Sequence, residues 1–204
     1  MILGITGSIA SGKSTVSSMF EARGAVLISA DQLARDAVRP GSATLEQLVG
    51  RFGEEILAGD GQLDRSRLGT LIFSDPAARQ DLNRIIHPAI AALAERQLAR
   101  LRRSGKPLIV YEAPLLFEAG ASDRVDQVLV VKVDPEVQLR RLMQRDGLDA
   151  DAARQRIAAQ MPQSAKLARA DYVIDNSGTP EFTEDQVAAL WVRLAPSQEP
   201  RQKN

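Results

Sequence analysis

Ile2-Leu3-Gly4-Ile5-Thr6-Gly7-Ser8-Ile9-Ala10-Ser11-Gly12-Lys13-Ser14-Thr15-Val16 stands at the start of the chain and decides how the rest of it reads. Ile2 to Thr6 is a short apolar run, a glycine-bounded loop follows, and Val16, Met19 and Phe20 recur at helical spacing. The pattern predicts strand, loop and helix in that order. Gly7-x-x-x-x-Gly12-Lys13-Ser14 is the spacing of a loop that cradles the phosphates of a nucleoside triphosphate, and it lies between a predicted strand and a predicted helix, as the motif requires. Consecutive backbone N–H groups converge on the polyphosphate, helped by the positive end of the following helix. Gly12 permits close backbone approach and Gly7 a sharp exit from the strand. Lys13 offers a compact charge to the β and γ phosphates, and the Ser14 hydroxyl is placed to ligate magnesium. From the chain's own composition the pattern would arise by chance about once in five hundred sequences.

Four further apolar runs follow: Ala25 to Ser29, Leu108 to Tyr111, Val128 to Val133, and Asp171 to Ile174. Strands apolar at consecutive positions are covered on both faces, so the class is α/β, with a parallel sheet flanked by helices. Runs two and three are separated by far more chain than one crossover helix needs. The excess, about residues 38–90, shows helical pattern (Leu45, Leu48, Val49, Phe52, then Leu68, Leu71, Ile72) broken at Gly59-Asp60-Gly61 and Asp75-Pro76, and predicts a helical subdomain. A second excess, residues 135–169, predicts short helices divided at Asp146-Gly147 and Met161-Pro162. The expected organisation is one domain over residues 1–195. Its core comprises residues 1–37, 91–134 and 170–195, and a polar tail at 196–204 lacks the apolar content to order itself.

The 204 residues carry 26 basic and 26 acidic side chains, a net charge of zero that argues against a broad polyanion or nucleic-acid binder. No cysteine means no disulfide framework, thiolate zinc site or cysteine nucleophile, and one histidine rules out a multi-histidine metal centre. With no long apolar run and no signal-peptide pattern at the start, a soluble cytoplasmic protein is expected.

Nucleotide switches and small-molecule kinases share the phosphate loop. The Asn-Lys-x-Asp with which a guanine-nucleotide switch reads its base does not occur. Two helical insertions suit a kinase, one as a platform for the acceptor and one as a lid that excludes water as a competing acceptor. Residues 138–169 carry seven basic and three acidic side chains, a net +4 suited to clamping polyphosphate oxygens. Arg141 and Arg145 lie four apart on one helix face. A solvated helix face remains the alternative for these arginines, above all for Arg140, Arg154 and Arg156.

Over roughly residues 1–180 the chain resembles the dephospho-CoA kinases. The resemblance rests on Ile5 to Thr15, on Ala30-Asp31-x-x-Ala34-Arg35, on Leu82-Asn83-x-x-x-His87-Pro88, and on Pro114-Leu115-Leu116-Phe117-Glu118. It continues in Gln138-Leu139-x-Arg141-Leu142-Met143-x-Arg145, Ala159-Gln160-Met161, and Ala170-Asp171-Tyr172-Val173-Ile174-Asp175-Asn176-Ser177-Gly178. It implies an adenylate-kinase-like P-loop fold with a five-stranded parallel sheet, and ATP-dependent phosphorylation of the ribose 3′-hydroxyl of dephospho-CoA to give coenzyme A and ADP. A nucleoside or nucleotide kinase of similar fold is the alternative, followed by a non-enzymatic nucleotide-dependent binding protein. By resemblance, ATP and Mg2+ bind at Ala10, Ser11, Gly12, Lys13, Ser14 and Thr15, with Arg141 and Arg145 on the phosphates and Asn176 and Gly178 bordering the adenine. Asp31 is implied as general base toward the acceptor hydroxyl and, with Ser14, as a magnesium group, its alternative being a helix cap alone. Dephospho-CoA is the implied partner, with no nucleic acid, membrane or obligate protein partner.

His87 alone, before Pro88, reads as a helix-start residue or a satisfied buried histidine. The resemblance places it, with Arg65 and Asn83, in the acceptor-binding insertion. Glu112 and Glu118 flank the end of the third strand, each either a group that supports magnesium from behind its direct ligands or a paired surface charge. Ser8 and Ala10 stand where the family usually has glycine, so their backbone is expected in conformations a side chain tolerates. Ser29 replaces an aspartate common two places before Asp31, which puts a metal-hydration role there in doubt.

Overall fold

A computed structural model describes residues 1–73 and 75–195, Phe73 by its backbone alone; the tail expected at residues 196–204 lies outside the described residues. The five apolar runs form the five strands, each within a residue or so of its expected bounds: β1 (Ile2–Gly7), β2 (Val26–Ser29), β3 (Ile109–Glu112), β4 (Gln127–Lys132) and β5 (Tyr172–Asp175). They make one sheet in the order β2-β3-β1-β4-β5 with every pair parallel. β1 is central and buried along its whole length, which its unbroken apolar sequence requires.

The chain divides into two compact units. The first comprises Met1–Ser29 and the chain from Leu98 onward, and contains the whole sheet. On one sheet face Leu3, Ile5, Val110, Leu129, Val131 and Ile174 pack with Val16 and Phe20 of α1 (Lys13–Ala22) and with Val187 and Leu190 of the last helix (Pro180–Leu194). The remaining helices of this unit, α6 (Pro135–Asp146), α7 (Ala150–Ala158) and α8 (Gln163–Leu167), are numbered after those of the second unit. A carboxylate seals the start of two strands: Asp126 accepts the Ile2 N–H at 2.7 Å and Asp171 the Val128 N–H at 2.7 Å. Each satisfies a donor that the ladder leaves open at its end.

The second unit, Ala30–Gln97, is helical: α2 (Ala30–Asp36), α3 (Ala43–Phe52), α4 (Arg65–Phe73) and α5 (Pro76–Arg102), which continues past the unit's boundary. The helix Pro180–Leu194, last among the described residues, is therefore α9. Leu48, Phe52, Ile56 and Leu68 form the unit's own apolar core, flanked by Leu82 and Ile85. Ser42 caps α3 by accepting the Leu45 N–H, and the Gly59-Asp60-Gly61 break is a turn closed by a bridge between Leu57 and Leu63.

Two local expectations are corrected. Pro88 does not begin a helix; it lies inside the 27-residue α5, so His87 is neither a helix-start residue nor buried, but exposed in mid-helix. Proline there forgoes one i→i−4 hydrogen bond, which the length of the helix on both sides absorbs. Ala10 is the second: it adopts φ 58°, the left-handed region, alone among non-glycine residues described, whereas Ser8 stays at negative φ. A residue with a side chain occupies the glycine-favoured conformation here at a cost of roughly 1–2 kcal/mol.

Candidate active site

β1 ends at Gly7 and α1 begins at Lys13, so the loop between them lies at the carboxyl edge of a parallel sheet, where such folds bind ligands. The local backbone explains both motif glycines. A β-carbon at Gly7 would lie 2.6 Å from the Val131 carbonyl oxygen and 2.7 Å from Ser11 Oγ. Gly12 takes φ 85° and a β-carbon there would overlap the Asn176 amide. No side chain caps α1 and no acidic residue stands in its first turn, so the helix presents its positive end undiminished to the loop.

Lys13 is sheltered, 9% exposed, and its Nζ donates to the Gly7 and Ser8 carbonyl oxygens at 3.1 and 2.9 Å. Its charge is thus held across the mouth of the loop. Ser14 and Thr15 are exposed in the first turn of α1, while Ser11 is fully buried. These donors fit a triphosphate with magnesium. An uncapped helix end, a lysine and an accessible hydroxyl are what the phosphates and a mostly water-ligated ion require. Among the described residues no cluster of three or more His, Cys, Asp or Glu side chains could hold a metal by itself.

The strand ends around the loop bring in the later motifs. Asn176 follows β5 and is buried. Its Nδ2 donates to the Ser11 carbonyl at 2.8 Å and its Oδ1 accepts from Thr183 Oγ1 at 2.9 Å. The Asn176 side chain is therefore spent on bracing the phosphate loop, and its backbone oxygen accepts from Arg141 Nη1 at 2.9 Å. Gly178 is exposed between β5 and α9. Arg141 is half-buried on α6; Arg145, one turn on, is exposed and grips Asp146 through Nε and Nη2 at 2.7 and 3.2 Å. Arg156 joins the same carboxylate at 2.9 Å and Arg154 pairs with Asp151. The hydrogen bond from Arg145, opposed by partial burial and aided by both positive charges, holds the Asp146 carboxyl below its ordinary range. The segment's own acidic side chains thus engage Arg145, Arg154 and Arg156, and its net +4 remains spread over the other basic groups.

Glu118, left open between two roles, is paired: its Oε1 lies 2.8 Å from Nζ of Lys166, whose side chain is fully buried and also donates to the Pro114 carbonyl. Glu112 closes β3 half-buried, in register with Ile5 and Ser29. In the helical unit Asp31 is exposed in the first turn of α2, and Arg65, Asn83 and His87 are exposed on α4 and α5. None of these four side chains bonds to another described residue.

Residues that motif reading passed over without a role include Gln138, Gln160 and Thr183, and Lys166, counted there in the basic clamp, is instead buried against Glu118. The first two stand within stretches that carry the resemblance, but nothing in an isolated sequence says that their amides reach back to the phosphate loop.

A family model described as dephospho-CoA kinase matches residues 1–181. A dephospho-CoA kinase of Syntrophotalea carbinolica is 59% identical over 196 residues, spanning 96% of this chain and 93% of that protein. The chain belongs to the dephospho-CoA kinase family. Among solved structures, the dephospho-CoA kinase from Campylobacter jejuni aligns with a TM-score of 0.75 at 31% identity, over 95% of this chain and 96% of that one. A Thermus thermophilus protein aligns with a TM-score of 0.79 at 37% identity, over 95% and 97%. As a dephospho-CoA kinase of P-loop fold, the protein uses ATP and Mg2+ to phosphorylate the ribose 3′-hydroxyl of dephospho-CoA, giving coenzyme A and ADP, the final step of coenzyme A synthesis. Among the described residues no helix is long and apolar enough to cross a membrane.

Proposed function

We propose that residues 10–15 hold the triphosphate of ATP, with Lys13 on the β and γ phosphates, and that Asp31 accepts the proton of the acceptor hydroxyl. The uncapped start of α1 carrying Lys13 in a sheltered loop is the observation that supports this most directly. As the 3′-oxygen bonds to the γ-phosphorus, the bond to the β–γ bridging oxygen breaks, ADP departs, and the hydroxyl proton passes to the Asp31 carboxylate. Magnesium, when bound, neutralises charge between the β and γ oxygens; Ser14 offers it a hydroxyl and Asp31 a carboxylate, directly or through water. Arg141 gives the Asn176 carbonyl one of its five donors and keeps the others for phosphate oxygens that gain charge during transfer. Arg145 joins it by exchanging Asp146 for a phosphate, a trade that the second cation on Asp146, Arg156, makes less costly. Asn176 and Gly178 border the adenine, Asn176 through its backbone because its amide is engaged.

Residues 38–90 form the acceptor-binding insertion, with Arg65, Asn83 and His87 reading dephospho-CoA, and residues 135–169 the lid. The exposure of those three side chains and their lack of partners among the described residues support this, since a side chain meant for a ligand is not committed elsewhere. The protein works in the cytoplasm on small molecules, without nucleic acid, membrane or an obligate protein partner, in keeping with its zero net charge and absence of cysteine. In a coupled assay of ADP release, wild-type turnover depends on dephospho-CoA and magnesium. Asp31→Asn lowers kcat at least about a hundredfold while ATP affinity stays within about threefold. Equal losses in both would remove Asp31 from the proton-transfer role.

A further inference from the structure

The geometry points to Gln138 and Gln160 as positioning residues for the triphosphate, two glutamines of the lid segment that hold both backbone polar atoms of Ile9 in the phosphate loop. Gln138, buried on α6, donates from Nε2 to the Ile9 carbonyl oxygen at 2.8 Å. Gln160, between α7 and α8, accepts the Ile9 N–H on Oε1 at 2.8 Å. The polarity of each amide follows from its partner, since a carbonyl needs a donor and an N–H an acceptor. Two successive peptide planes of the loop are thereby fixed from outside it.

This bears on the phosphates because Ala10 comes next. Its left-handed conformation is one that a residue with a side chain adopts at a cost, and the Gln138 bond to the Ile9 carbonyl orients the very peptide that leads into it. The loop's own internal bond, Ser11 N–H to the Ser8 carbonyl, spans the same turn but leaves both polar atoms of Ile9 to the glutamines. The lid segment is pinned a second time, at Pro114. The carbonyl of Pro114 accepts from Lys166 Nζ and from Thr6 Oγ1 of β1, each at 3.1 Å. Gln138 lies on α6 itself, the helix that carries Arg141 and Arg145, so the same helix that holds Ile9 presents those two arginines.

The inference rests on the loop being the triphosphate site, and one set of kinetic measurements separates the two. Wild type is assayed beside Gln138→Ala, Gln160→Ala, the double variant, and Gln138→Glu from about pH 5.5 to 8. Each alanine variant raises KM for ATP about tenfold with KM for dephospho-CoA unchanged. The double variant falls short of the product of the two, because both side chains act through one residue. In Gln138→Glu the introduced carboxylate, when ionised, has no hydrogen for the Ile9 carbonyl, whereas the protonated acid has one. Gln138→Glu therefore recovers toward wild-type KM as pH falls, and Gln138→Ala does not. If wild type does not turn over ATP with dephospho-CoA, the functional reading itself fails. If wild type is active while the single variants keep its KM for ATP, or the double is fully multiplicative and the ratio of Gln138→Glu to Gln138→Ala is flat with pH, the positioning role is overturned.

Discussion

The sheet-bearing unit and the helical unit treat their polar side chains in opposite ways. Around the phosphate loop, Lys13, Gln138, Lys166, Asn176 and Thr183 are buried, and each is bonded to a specific backbone or side-chain atom. In the helical unit the interior is apolar, built on Leu48, Ile56 and Leu68, and charge is kept to surface pairs such as Arg51 with Asp81 and Arg84 with Asp81. The phosphates present one unchanging shape and charge, so the donors facing them gain from being fixed in advance. On the proposed reading, the site for a large, flexible acceptor is built instead from exposed side chains such as Arg65, Asn83 and His87. If that reading holds, rigidity is concentrated where the chemistry is common to all triphosphates, and freedom where one substrate must be told from others.

That contrast can be broken by substitution. Lys166→Met removes a fully buried cation, leaving the Glu118 carboxylate without its partner and the Pro114 carbonyl with Thr6 alone, and is expected to destabilise the protein by about 3 kcal/mol in urea unfolding. A loss near zero would mean that this end of the molecule is as tolerant as the helical unit. A smaller effect with a definite pH signature is expected at Asp175. Burial pushes its carboxyl up, but the Lys132 ammonium and the Ser177 hydroxyl and N–H outweigh it and hold the pKa below the ordinary carboxylate range. A depressed folded-state pKa gives stability that is present above the unfolded value and lost as pH falls through the folded one. Asp175→Asn should therefore lower the urea midpoint at about pH 7, with the difference from wild type narrowing as pH falls below the ordinary aspartate range of about 4. The smallest effect belongs to the helical unit: Arg84→Ala, at an exposed pair whose carboxylate keeps Arg51, should leave the thermal midpoint within about 2 °C. A larger drop would show that the surface charges there carry structure after all.

The sheet was legible because runs such as those of β1, β3 and β4, buried at nearly every position, have no reason to be apolar at consecutive positions unless both faces are covered. Gly7, Gly12, Lys13 and Ser14 were legible because their spacing encodes a backbone shape. His87-Pro88 misled, since local propensity argues for a helix boundary at proline while the apolar positions on either side, Ile85, Ile86 and Ile90, continue one helix through it. The basic segment also read too simply. Charge arithmetic along the chain does not reveal that Asp146 faces both Arg145 and Arg156, or that Lys166 is buried against Glu118. The glutamines were invisible in a different way: their partner is backbone, and backbone leaves no trace in residue type.

The central position of β1 has a consequence for synthesis on the ribosome. Its neighbours β3 and β4 and the carbonyl that receives the Thr6 hydroxyl, 108 positions away, are made long after it, and the amide that braces Ser11 comes 165 positions after that residue. The first strand to emerge is among the last to find its partners, so the nascent chain carries an unpaired apolar edge through most of translation. A chain stopped before Asn176 therefore lacks the amide that braces Ser11 in the phosphate loop.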